Sequence, residues 1–234
     1  MVGRSVKRVL LAALVALAGM STPATAHHVG AFIPKDDDIT RNVKEIKFAV
    51  QAGRPELAVK LFDDGIVHAT MEKEEKRLPR GLEDRLRGAL RRQDVPGAEL
   101  RLAIFLAFLT RERLLDAGTR LHRPDLTPER RQEQARRLIN AAWRYYNLGD
   151  FAISAQDARM AVDVRMGFED AQTYLGGMMI DPMWAGAAAA KPNPPDEGKA
   201  TAVIDGMVRV LARFMVMAAR TADAGDAGRF LPRR

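Results

Sequence analysis

The tightest constraint on the fold is LAIFLAFL, residues Leu102 to Leu109, eight consecutive apolar residues fenced by Arg101 and Arg111. The run does not alternate apolar and polar residues as a half-buried strand would, and it is too short to cross a bilayer as a helix. A helix that is apolar around most of its circumference must be buried on most of it.

The segments around it carry the helical period, and no convincing strand pattern interrupts them. Ile39, Val43, Ile46 and Val50 recur at helical spacing behind Asp36, Asp37 and Asp38, acids that favour a helix start. Gly53-Arg54-Pro55 ends that helix and opens the next, whose apolar face is Leu57, Ala58, Leu61, Phe62, Gly65 and Ala69. A charged stretch follows from Glu72 to Asp94, broken by Pro79 and Gly81. Thr127 and Pro128, after a break at His122-Arg123-Pro124, form a specific start signal for a helix running to Asn147. Leu148-Gly149-Asp150 then reads as a hairpin turn, with Gly149 ending one helix and Asp150 capping the next. Ala152, Ala155, Ala158 and Ala161 recur every three residues, so the paired helices can approach closely.

The N-terminus is expected to be removed. Arg4, Lys7 and Arg8 precede an apolar run from Val9 to Ala18 and a small-residue site at Ala24-Thr25-Ala26. That is the layout of a secretory signal peptide over 1–26, which places the mature protein in the periplasm or outside the cell. The leader takes three positive charges with it, so the formal charge of +7 falls and nucleic acid is not an expected partner. The sequence holds no cysteine, so an exported chain of this kind relies on its core and not on disulfides. The expected organisation continues with a mature N-terminus at 27–35 and a helical domain at 36–177. A Met/Pro/Ala-rich loop at 178–199, a closing amphipathic helix at 200–224 and a tail at 225–234 complete it. In the closing helix Asp205, Arg209, Arg213 and Arg220 share a charged stripe, with Val203, Met207, Leu211 and Phe214 away from it. These embedded charges argue against a transmembrane span. The expected fold is all-α, antiparallel helical hairpins packed as a bundle or a short array.

The hairpin pattern resembles the tetratricopeptide repeat, a pair of antiparallel helices of about 34 residues. Ala141, Ala142, Tyr145, Gly149, Ser154, Ala158 and Ala161 carry the resemblance over 128–165, and Gly53, Ala58, Phe62 and Gly65 over about 40–69. The resemblance implies a concave surface that binds a protein or peptide partner, without catalysis or a cofactor. Tyr145, Tyr146, Met178, Met179 and Met183 are the candidate lining of that surface, since methionines adapt to varied partners.

A metal site is the alternative. Cleavage after Ala26 leaves His27 first, with His28 beside it, and a free amino group plus its own imidazole chelates Cu(II) well. Asp64, His68 and Glu72 stand at steps of four, one line on a continuous helix. The methionines of the C-terminal third suit Cu(I). Catalytic signatures are missing: there is no Gly-x-Ser-x-Gly, no His-Glu-x-x-His, no phosphate-binding glycine loop and no cysteine nucleophile. The expected role is therefore binding.

Overall fold

The computed structural model describes residues 36–176 and 194–229, and these fold into α-helices with no strand among them. In chain order they are α1 (Asp38–Gln51), α2 (Pro55–Asp63), α3 (Ile66–Lys73), α4 (Leu82–Arg91), α5 (Val95–Leu121), α6 (Pro128–Gln156), α7 (Ala158–Tyr174) and α8 (Glu197–Arg229). A single 3-10 turn, Glu75–Arg77, links α3 to α4. No helix among the described residues is long and apolar enough to cross a membrane.

The apolar octad lies at the centre. α5 is 27 residues long, and Leu100 to Phe108 are buried without a gap. Helices α5, α6, α7 and α8 close into a ring in which each packs on two neighbours, the arrangement of a four-helix bundle. The shorter helices α1 to α4 pack on one another and reach the bundle mainly through α4 and α1 against α5. One hydrophobic core therefore runs through both layers.

Helix starts follow local chemistry. Asp37 caps α1 by accepting from Thr40 N at 2.8 Å, and Asp94 caps α5 through Gly97 N at 3.2 Å. Thr127 caps α6 and Asp157 caps α7, each accepting a backbone N–H three residues on. Gly53, at φ +70°, lets the chain turn between α1 and α2, as the Gly-Arg-Pro signal predicts.

Several expectations change. The helix through Gly149 does not break: α6 runs on to Gln156, and the turn comes at Asp157. Gly149 faces the core, where a Cβ would lie 3.5 Å from Leu106 Cβ and 3.7 Å from Ala103 Cα. Asp150 does not cap a helix but receives Arg165 through two hydrogen bonds of 2.9 and 2.6 Å, tying α6 to α7. Of the alanines at three-residue spacing, Ala161 is buried while Ala155 and Ala158 are exposed.

The second apolar segment is likewise not one helix. Gly65 separates α2 from α3, and a Cβ there would overlap the Asn42 amide and the Leu61 carbonyl. Asn42 of α1 fills this kink, donating to Leu61 O at 2.9 Å and accepting from Val67 N at 3.1 Å. The charged stretch also contains an unexpected element, α4, which buries Leu82, Leu86, Ala89 and Leu90. The closing helix begins at Glu197, inside the expected loop, and continues to Arg229, inside the expected tail. Asp196 N donates to Tyr174 O at 2.7 Å, so the chain returns to the end of α7 before α8 starts.

Candidate functional site

The two tyrosines expected to line a binding surface are core residues. Tyr145 is 3% exposed, and its hydroxyl donates to Asp37 Oδ2 at 2.7 Å, an oxygen that also accepts from Arg144 Nη1 at 2.9 Å. Burial, then the Asp37 carboxylate, pushes the Tyr145 hydroxyl up to about 12. Burial alone would raise the Asp37 carboxyl, but the Thr40 N–H, the Tyr145 and Thr40 hydroxyls and Arg144 together hold it below the usual aspartate value. Tyr146 is fully buried and donates to Ala161 O at 2.8 Å, with its ring packed against Trp143 and Phe168. Aromatic side chains committed in this way staple α1 to α6 and α6 to α7, and they offer nothing to a partner.

The expected metal line is not assembled either. The kink at Gly65 places Asp64 at the end of α2 and His68 in α3. His68 instead meets Glu83 Oε1 at 3.0 Å and Arg87 Nη2 at 3.1 Å, while Glu72 points to solvent. Among the described residues no three His, Asp or Glu side chains are grouped as metal ligands would be. His27, His28, Met178, Met179 and Met183 lie outside the described residues.

Among the described residues, open regions occur beside α3 and on α8. The first is a groove of about 590 Å³ between α3 and α5, with apolar walls from Ile39, Ile66, Phe108 and Leu109. Its charges largely neutralise one another: Arg77 pairs with Glu74 and Glu112, and Arg113 lies 3.5 Å from Asp116.

The second region is the outer face of α8. Two depressions of about 440 and 600 Å³ share Ala212, Val216 and Arg220, so they meet along that line of the helix. The smaller one is completed by Arg77, Pro79, Arg111, Met215 and Ala219. The larger one is completed by Met160 of α7 with Arg213, Met217 and Thr221. Among the described residues neither is lined by a carboxylate. Val216, 55% exposed, stands on the shared line.

The arginines here differ in how they are held. Glu112 receives Arg77 on Oε2 and Arg111 on Oε1, the latter at 2.9 Å, so one carboxylate steadies both from the α5 side. Arg77 also lies over the Phe108 ring, 5.2 Å from its centroid. Arg213 and Arg220 form no ion pair among the described residues. The Arg111 Nε is buried without a hydrogen-bond partner. An apolar floor beside Arg213 and Arg220, which form no ion pair among the described residues, attracts an anionic partner bearing apolar side chains.

Sequence reasoning found part of this face. The stripe of Arg213 and Arg220 is readable at seven-residue spacing, and Val216 between them is the apolar residue out of place. Arg77 and Arg111 are 34 positions apart and join the face only because Glu112 gathers them. No family model, no curated protein and no solved structure matches the chain, so its function is argued from this geometry alone.

Proposed function

We propose that this chain is an exported, non-catalytic helical binding protein that engages a protein or peptide partner through the outer face of α8. The observation that carries the reading is the pair of α8 depressions, apolar in their floor and lined, among the described residues, by arginines and no carboxylate. An interface of this type uses apolar burial for affinity and unpaired charge for steering and selection. The bundle beneath is suited to presenting such a face, because α8 is anchored on both α5 and α7.

The test is site-specific cross-linking of the full chain in its own compartment. A photoreactive phenylalanine in place of Val216 is expected to give discrete adducts that Arg213→Glu and Arg220→Glu remove. The same probe in place of Phe48, which is 70% exposed on α1, is expected to give none of them. Identical adducts from both positions, or none from Val216, would overturn the reading.

A further inference from the structure

We propose that the partner segment is an amphipathic α-helix carrying acidic residues on the flank of its apolar stripe that meets Arg213 and Arg220. This rests on the reading of the α8 face as the binding surface and names what occupies it. Ala212, Val216 and Ala219 follow the four-three spacing that forms a helix-packing seam. Alanines at both ends of that seam let a second helix come close, within the usual interaxial distance of about 8–10 Å. Val216 between them, 55% exposed, is the projecting residue that enters a gap in the incoming helix.

Charge decides the flanks. Arg77 and Arg111 line only the smaller depression, and Arg213 lines only the larger one. Arg220 stands where the two meet. A helix laid along the seam would meet Arg77 and Arg111 on one side, already paired with Glu74 and Glu112, and Arg213 on the other, where carboxylates of the incoming helix would pair. Arg213 on that flank and Arg220 at the junction form no ion pair among the described residues.

The same face is a poor match to a lipid surface. Helices that lie on membranes present Trp, Phe and Leu on the side that enters the lipid. This seam presents alanines and one half-exposed valine, with Met215 buried beneath them.

The probe is a synthetic helical peptide with leucine and alanine at seam positions and glutamate on one flank, compared with its scrambled sequence and with phosphatidylglycerol vesicles. Binding to the full chain is read by fluorescence anisotropy of the labelled peptides and by vesicle co-sedimentation. The helical peptide is expected to bind at least about tenfold more tightly than the scramble. Arg213→Glu with Arg220→Glu, and separately Val216→Asp, are each expected to weaken it about tenfold or more while circular dichroism is unchanged. Equal binding of peptide and scramble, indifference to these variants, or binding to vesicles alone would overturn the proposal. So would a dimer of this chain that Val216→Asp dissociates. If Val216 cross-links to a partner while the acidic peptide fails, the occupant is wrongly identified and the binding surface still stands.

Discussion

Gly149 and Tyr145 show how much a single residue's role depends on what faces it. A glycine beside an aspartate is a reasonable turn signal, yet Gly149 sits in an unbroken helix against Leu106 and Ala103. The space for a methyl group is already there at ordinary contact distance. Gly149→Ala is therefore expected to be neutral or to stabilise the protein by up to about 1 kcal/mol, since alanine is the better helix former. A turn glycine would respond in the opposite direction, and denaturant titration reads the sign. Tyr145 makes the complementary point through its bond to Asp37. Removing that hydroxyl in Tyr145→Phe is expected to cost about 1.5–3 kcal/mol, the range for a hydrogen bond to a charged group. The cost should itself depend on pH. Asp37 is lowered in the fold, so its contribution is complete above the ordinary value of 3.8 and is lost as pH falls through the lower folded value. Tyr145 is raised, so its contribution is complete below 10.0 and is lost as pH rises toward about 12. The difference between wild type and Tyr145→Phe in denaturant titrations should be flat across neutral pH and shrink at both ends.

At the scale of the element, long-range partners decide where helices end. The apolar pattern from Leu57 to Ala69 suits one continuous helix, and only Asn42, brought in by α1, makes a break at Gly65 affordable. Its amide satisfies the Leu61 carbonyl and the Val67 N–H together. Asn42→Ala leaves both groups unpaired in a region that is largely buried, and a loss of about 1–3 kcal/mol per buried unpaired group is expected by chemical denaturation. The α7–α8 pairing rests on another close approach. A Cβ on Gly167 would lie 2.5 Å from Met207 Cγ, and Met207 is buried with little room to move. Gly167→Ala is thus expected to destabilise by about 1–3 kcal/mol through overpacking, in contrast to Gly149→Ala. Two glycines in helices, two opposite signs: the sequence around each does not distinguish them, and the facing helix does. Helix α4 was legible in principle, since Leu82, Leu86, Ala89 and Leu90 keep the helical period beneath a dense covering of charge.

At the scale of the molecule, α5 holds the two layers in one core. The buried stretch from Leu100 to Phe108 touches the bundle and the short helices alike, so its amides should exchange with solvent only when the whole fold opens. Hydrogen-exchange mass spectrometry is expected to show this stretch as the most protected, with faster exchange in α3, which is only eight residues long and buries just Val67 and Met71. Exposure of the central stretch before α3 would mean that the layers do not share a core. At the same scale, binding on the α8 face should weaken as salt rises, because exposed guanidinium groups are screened over about 10 Å at 0.1 M ionic strength.

By itself the sequence determined that the chain is helical, that Leu102–Leu109 is its interior and that the stripe of Asp205, Arg209, Arg213 and Arg220 faces water. Those features follow from the period and from the hydrophobic effect, which act on each segment wherever it ends up. Tertiary structure alone decided that Tyr145 and Tyr146 are buried staples, that Asp64 and His68 part company, and that Arg77 and Arg111 meet beside α8. Each of these is set by a partner distant in sequence: Asp37 and Ala161 for the tyrosines, Asn42 for the kink, Glu112 for the arginines. A hydrogen bond or ion pair between remote residues leaves no periodic trace along the chain, so its location is known only once the helices have packed.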